Sequence, residues 1–174
     1  MRYILLTMLA LISSANADQQ PRFDNFLIYS EDRTHTAFVT ASDAGSGSRW
    51  TLTVYKGIRA SQPSPAEEFA WSTKYEYDGY PEGYLLKGGR AFVYLNQWFF
   101  PERSIVRYVS PDCEQTTTGS EVLENWESLP RSISHTLWLR DSKPSFTYTD
   151  TDTDTGTILE LNTHHGIRRL ELGC

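Results

Sequence analysis

The stretch Arg49-Trp50-Thr51-Leu52-Thr53-Val54-Tyr55-Lys56 decides the fold class of this chain. In a β-strand successive side chains point to opposite faces, so the even-numbered residues from Trp50 to Lys56 share one face and the odd-numbered residues share the other. Threonine, valine and the aromatic residues that make up most of the stretch also favour strands. The stretch therefore predicts a β-strand.

The same alternation recurs along the chain between turns rich in Gly, Pro, Asp and Ser. Further strands are predicted at residues 26–30, 34–40, 68–74, 84–87, 90–96, 104–109, 135–140, 145–151, 155–162 and 167–172. Strands at this short spacing, without crossover helices between them, predict antiparallel meanders. The expected fold is a single all-β domain over residues 18–174.

One short helix is also expected. Thr118-Gly119-Ser120-Glu121 has the pattern of a capping box, with Thr118 as N-cap and Glu121 three residues later. Val122, Leu123 and Trp126 follow as an apolar stripe, and Pro130 ends the segment. The pattern predicts two turns of helix between strands.

A weak internal repeat suggests how the meanders are arranged. Ala37-Phe38-Val39 returns as Ala91-Phe92-Val93, and each is followed by a further strand at a similar distance. Units of about 55 residues built from short antiparallel strands are typical of propeller blades, but a closed propeller needs about four to eight of them. This chain has material for two or three, so we expect incomplete propeller-like blades, a small sandwich, or an oligomer that completes itself.

The first seventeen residues have the pattern of a secretory signal peptide. Arg2 precedes an apolar run over residues 4–12, and Ala15 and Ala17 stand at the −3 and −1 positions of a cleavage site. The run is too short to span a bilayer, which takes about 20 apolar residues. We expect cleavage after Ala17, export to the periplasm or beyond the cell, and no membrane insertion of the mature chain.

Composition limits the partners and the covalent framework. The 174 residues are 39% apolar, which is enough for a core, and 16 basic against 22 acidic residues give a charge of −6. This balance argues against nucleic acid as a partner. In an oxidising compartment Cys113 and Cys174 are expected to form a structural disulfide, the alternatives being a redox pair or an intermolecular bond.

An aromatic segment is the best candidate binding site. Trp98, Phe99 and Phe100 stand beside a proline where a strand gives way to a turn, and Tyr77 and Tyr80 are a possible extension. Exposed aromatic rings mark protein or ligand sites and can stack on sugars. The alternative is that these rings belong to the core, since aromatic residues supply much of the burial in small β-domains.

Other polar motifs favour plain structural roles. Asp150, Asp152 and Asp154 alternate before Gly156, which could suit calcium, although the spacing departs from an EF-hand and favours a polar hairpin. Ser134 and His135 are adjacent, so in a strand they point to opposite faces and cannot form a nucleophile–base pair. Adjacent histidines at 164 and 165 lack zinc-site spacing. No metal or cofactor is expected.

The segment Leu129-Pro130-Arg131-Ser132-Ile133-Ser134-His135-Thr136-Leu137-Trp138-Leu139, together with the strands at 84–96 and 105–109, resembles a family of small exported bacterial proteins. The resemblance covers about residues 72–172. It implies propeller-like strands and an exported location, and it implies no established activity.

Three functions follow as hypotheses. The first is an exported, non-catalytic β-module that binds a protein partner. The second is a binder of carbohydrate or envelope polymer that uses the ring platform of Trp98, Phe99 and Phe100. The third, ranked lowest, is a hydrolase with dispersed carboxylates at Glu67, Glu68, Asp78 and Glu82.

Overall fold

The computed structural model describes residues 21–41, 49–61, 68–80, 82–96, 98–99, 103–131, 136–140, 143–151 and 154–173. Its first sheet is a four-stranded antiparallel meander in the order β1-β2-β3-β4. The strands are β1 (Phe26–Tyr29), β2 (His35–Ala41), β3 (Trp50–Lys56) and β4 (Phe69–Tyr75).

Two further meanders follow along the chain. The middle sheet has the order β5-β6-β8-β9, from β5 (Tyr84–Leu85), β6 (Phe92–Leu95), β8 (Ser104–Val109) and β9 (Glu114–Thr118). The short strands β7 (Trp98–Phe99) and β10 (Thr136–Leu137) pair with each other. The third sheet consists of β11 (Ser145–Thr151), β12 (Asp154–Thr163) and β13 (Gly166–Leu172). The predicted all-β antiparallel meander is confirmed.

The internal repeat corresponds to equivalent strands of two meanders. Ala37-Phe38-Val39 lies in β2 and Phe92-Val93 begins β6, each the second strand of its sheet. The strands that follow, β3 and β8, are the third strands of the same sheets. The repeat therefore reflects a repeated strand–loop–strand unit.

Two strands were not expected from the sequence. The strand β9 has the sequence Glu-Gln-Thr-Thr-Thr, which offers no large apolar side chain and no alternation, yet it pairs with β8 along the edge of the middle sheet. The strand β7 falls in the aromatic segment that was expected to form a turn, and it owes its strand conformation to pairing with β10, 37 residues further on at Thr136↔Phe99.

The helix is shorter than expected. The capping box is present, with the Thr118 N–H donating to the Glu121 carboxylate at 2.6 Å. However, α1 covers only Gly119–Val122, and a separate 3-10 turn covers Trp126–Ser128. Asn125 between them has a left-handed φ of 54°, which no α-helix contains. The prediction of two continuous turns was therefore wrong in length.

The middle sheet is buried on both faces, and this gives the domain three layers. In β6, Phe92 and Tyr94 pack into one core with first-sheet residues that include Leu52. Val93 and Leu95 pack into a second core with third-sheet residues that include Leu159. All four residues of β6 are buried because alternate side chains enter different cores.

The turn at Lys87–Gly89 fastens all three layers together. From the first sheet, Asp32 Oδ2 accepts a hydrogen bond from the Gly88 N–H at 2.9 Å, and Trp71 Nε1 donates to the Gly89 carbonyl at 2.6 Å. From the third sheet, the Tyr148 hydroxyl accepts from the Lys87 N–H at 3.3 Å. Backbone groups of one turn thus find partners on two neighbouring sheets.

Asp32 is the most heavily hydrogen-bonded group at this turn. Although burial raises its pKa, hydrogen bonds from Ser30, Thr34 and Gly88 lower it from 3.8 to about 2. A carboxylate whose pKa is depressed in the folded state stabilises that state above its unfolded pKa. Its contribution is therefore present above about pH 4 and fades as the pH falls from 3.8 towards 2.

Asp32→Asn should lower the free energy of unfolding at neutral pH, and the difference from the wild type should shrink as the pH falls towards 2. Urea titrations at a series of pH values measure this difference. Glu127→Gln, an exposed carboxylate of the 3-10 turn, is the matched control. A deficit in Asp32→Asn that stays constant with pH would contradict the role given to the ionised carboxylate.

Gly89→Ala should destabilise the protein more than Gly88→Ala. Both glycines have left-handed φ angles, of +64° and +70°, so both variants carry the strain of an alanine in that conformation, about 1–2 kcal/mol. Only at Gly89 would a Cβ also lie 2.5 Å from the His35 ring, whereas nothing lies within 4 Å at Gly88. Overpacking adds about 1–3 kcal/mol, and equal urea midpoints for the two variants would exclude the clash.

Candidate interaction surface

The outer face of the first sheet carries a row of aromatic residues. The strand registers pair Tyr29 with Thr36, Thr36 with Tyr55, and Tyr55 with Phe69. Residues directly opposite one another in antiparallel strands project from the same face. The row therefore crosses all four strands, on the face opposite to the core that contains Leu52 and Val54.

A second row on this face is partly apolar as well. Leu27, Phe38 and Thr53 are paired in register next to the first row. The ring of Phe38 lies 5.9 Å from that of Tyr55 in an edge-to-face arrangement, and Tyr55 makes a similar contact with Phe69 at 6.3 Å. Phe38 and Tyr55 are buried, so the exposed apolar groups lie at the two ends of the aromatic row.

The segment after β3 folds back over the middle of the row. The Thr36 hydroxyl donates to the Gly57 carbonyl at 2.8 Å and accepts from the Arg59 N–H at 3.1 Å, which places Ile58 between these two contacts. An ion pair between Arg59 and Glu68 holds the segment to the start of β4.

Three exposed apolar side chains therefore lie on this face, at Tyr29, Ile58 and Phe69, and together they are called the apolar patch below. Their exposed fractions are 36%, 48% and 51%. Among the described residues only one other large hydrophobic side chain is exposed, Ile167 of β13. Single exposed hydrophobic residues are ordinary, but a cluster of them marks an interaction site.

The opposite end of the three-layer stack has a different surface. The outer face of the third sheet presents the registered rows Ser145–Glu160–Arg169 and Thr147–Ile158–Glu171. Arg169 Nε donates to the Glu160 carboxylate at 2.9 Å on this face. The outer face of the third sheet is therefore mostly charged and hydroxylic, with Ile158 and Ile167 also on it, whereas the outer face of the first sheet is aromatic.

The aromatic residues singled out from the sequence do not form one described cluster. Trp98 and Phe99 lie in β7, but their side chains and the whole of Phe100 are outside the described residues. Tyr80 is half-buried. The suggestion that Trp98, Phe99 and Phe100 bind carbohydrate stays a prediction.

Tyr77 belongs to the core. Its ring packs against Trp50 at 4.6 Å and is buried in the cluster between the first and middle sheets. Its hydroxyl donates to the Arg22 carbonyl at 2.8 Å, and burial raises its pKa to about 12. Tyr77 is therefore a core residue, which was the alternative to a binding role, and its ring is not exposed to a ligand.

The dispersed carboxylates occupy different places. Glu68 pairs with Arg59 on the outer face of the first sheet, whereas Asp78 and Glu82 lie in the connection from β4 to β5. Glu67 is outside the described residues.

The structure brings one Ser–His pair together that the sequence did not suggest. Ser128 Oγ lies 3.1 Å from His165 Nε2. The Ser128 hydroxyl donates its single proton to the Asn125 carbonyl at 2.9 Å, so His165 is the donor in the second contact. The pair therefore links the 3-10 turn to the β12–β13 turn, and His165 does not act as a base towards Ser128. His135 and Ser134 are outside the described residues.

The acidic repeat lies at a hairpin. The register pairs Asp150 with Thr155 and Thr151 with Asp154, which confirms the expected hairpin between β11 and β12. Asp152, like the side chains of Asp150 and Asp154, is outside the described residues. Within the described part of the chain, no group of three or more His, Cys, Asp or Glu side chains could hold a metal ion.

Alternation along the sequence shows which side chains share a face with Tyr29, Tyr55 and Phe69 in their own strands. It does not show which face of the sheet packs against a core and which stays exposed. Ile58 lies outside any strand, and only the hydrogen bonds of Thr36 bring it to the patch. The apolar patch was therefore not predicted, because it depends on contacts between residues that are distant in the sequence.

Comparison of the sequence with protein-family models, with curated proteins and with solved structures found no match.

Proposed function

We propose that the protein is an exported, non-catalytic β-module that binds a protein partner through the apolar patch of Tyr29, Ile58 and Phe69. The observation that carries this proposal is that all three lie on the outer face of the first sheet, since they are three of the four exposed large hydrophobic residues in the described chain. Apolar groups clustered on a surface are stabilised by removal from water.

The contrast between the two ends of the stack supports the proposal. Stacked repeats need a polar outer face on each terminal unit if that face is to meet water. The third sheet satisfies this requirement with Glu160, Arg169 and neighbouring hydroxyls, whereas the first sheet presents aromatic rings. A partner bound to the outer face of the first sheet would remove these aromatic rings from water.

We also infer that the three sheets are propeller-like blades. Successive meanders share cores face to face, as blades do. The first strands of the first and middle sheets lie side by side and parallel, because Ser30, just after β1, bridges to Leu85 of β5 and the Glu31 N–H donates to the Leu85 carbonyl at 3.3 Å. This arrangement, and the blade-like strands of the exported bacterial family described above, support each other.

Export and a disulfide belong to the same proposal. Residues 1–17 and Cys174 are outside the described residues, and no helix in the described ranges is long and apolar enough to cross a membrane. Gly173, next to Cys174 in the chain, donates its N–H to Gln115 Oε1 at 3.1 Å, and Gln115 is two residues from Cys113. No cysteine of the described chain is a free thiol. These contacts support a bond between Cys113 and Cys174.

A photo-crosslinking experiment tests the partner-binding proposal. A benzoylphenylalanine introduced at position 69 should crosslink this protein to one discrete partner in the exported protein fraction. The double variant Tyr29→Ser/Ile58→Ser should lose that crosslink. Truncating an anchor residue costs about 2 kcal/mol, or roughly 30-fold in affinity. The matched control is the same probe at position 167, where Ile167 is 59% exposed but isolated on the third sheet. Identical crosslinks from positions 69 and 167 would refute the patch.

The disulfide is tested by its effect on thermal unfolding. Closing a loop of 61 residues from Cys113 to Cys174 stabilises by about 4 kcal/mol, which corresponds to roughly 10 °C in Tm for a domain of this size. Cys113→Ser, Cys174→Ser and the double variant should therefore share one lowered Tm, with strand content unchanged by circular dichroism. Additive losses in the double variant, or no loss at all, would show that the two cysteines are not bonded.

A further inference from the structure

A large open cleft lies between the β8–β9 turn of the middle sheet and one end of the third sheet. Its volume is about 1190 Å³. One wall is the turn around Asp112, and the other includes Thr157 and Glu171 of β12 and β13. The apolar patch is built by the first sheet, whose residues do not line this cleft.

Arg90 forms part of the cleft and is held in a fixed orientation. Its guanidinium lies 4.6 Å from the centre of the Tyr148 ring, and its NH2 group donates to the Thr157 hydroxyl at 2.7 Å. Stacking on an aromatic face and a hydrogen bond together restrict a side chain that is otherwise flexible. The cleft therefore includes a planar polar group whose position is set before any ligand arrives.

The other charged groups of the lining are two carboxylates. Asp112 is exposed in the β8–β9 turn and Glu171 is exposed in β13. Carboxylates only accept hydrogen bonds and a guanidinium only donates them. A ligand that pairs with both kinds of group must therefore donate and accept hydrogen bonds.

An extended peptide is not the ligand that this wall suits best. Peptides commonly dock by adding a strand to a free sheet edge. Here the side-chain amide of Gln115 already donates to the Glu171 carbonyl at 3.3 Å and accepts from the Gly173 N–H at 3.1 Å. The Gln115 side chain therefore occupies backbone hydrogen-bonding groups of the β13 edge beside the cleft, where an added peptide strand would bind.

We propose that this cleft binds a neutral, hydroxyl-rich ligand of the oligosaccharide class. A sugar hydroxyl both donates and accepts, so it can pair with Arg90 on one side and with Asp112 on the other, and Glu171 offers a second acceptor. Pro111, which is exposed, and Ile158, which is half-buried, supply apolar surface for the C–H faces of the rings. This site is separate from the apolar patch, and a ligand here does not depend on a partner there.

Calorimetric titration of the full mature protein with cellohexaose, maltohexaose and chitohexaose tests the cleft. At least one of the three should bind at one site per chain, and Asp112→Ala should weaken that binding about tenfold or more, as expected for loss of a hydrogen bond to a charged group. Tyr108→Phe, which keeps the ring, should weaken it less. The matched control Glu127→Ala, an exposed carboxylate of the 3-10 turn, should change nothing.

Several results would overturn this proposal. Absence of binding by all three oligosaccharides up to about 10 mM would do so, as would an affinity that is unchanged in Asp112→Ala. Binding that is lost in Tyr29→Ser and Phe69→Ser but kept in Asp112→Ala would move the sugar site to the apolar patch. Because the crosslinking experiment uses the patch alone, either proposal can fail while the other stands.

Discussion

The double burial of β6 is the constraint on which the rest of the structure depends. Phe92 and Tyr94 enter the core shared with the first sheet, and Val93 and Leu95 enter the core shared with the third sheet. Four consecutive residues thus join two cores, and each large side chain that leaves water there contributes about 1.5–3 kcal/mol. A single sheet could not bury both of its faces, so the two flanking meanders are held to the middle one.

The Lys87–Gly89 turn, just before β6, converts this stacking into a fixed arrangement. Hydrophobic contact is not directional, whereas the hydrogen bonds of this turn are: its N–H groups donate to Asp32 and Tyr148, and its Gly89 carbonyl accepts from Trp71. The turn thereby joins the β1–β2 connection, β4 and the middle of β11. The functional consequence is that the two ends of the stack become distinct surfaces, an aromatic one on the first sheet and a polar one on the third.

Much of the architecture was predictable because local patterns and burial agree. The strand at 104–109 was predicted with the bounds that the structure has, and the hairpin at 145–162 follows from alternation and an acidic turn. The exceptions have physical causes. The strand β9 is polar throughout and is held by pairing with β8 and by the contacts of Gln115 with β13. The helix α1 stops because Leu123 is already extended, and the left-handed Asn125 separates it from the 3-10 turn.

The sequence by itself determined the class of fold, the strand positions and the repeated meander, because side-chain alternation is a local property with a period of two residues. Only the tertiary structure decided which faces are covered. It placed Tyr77 in the core, left Tyr29 and Phe69 exposed, brought Ile58 to them through Thr36, and set Arg90 into a cleft between two sheets. These are contacts between residues distant in the chain, and alternation along one strand contains no information about what packs against it.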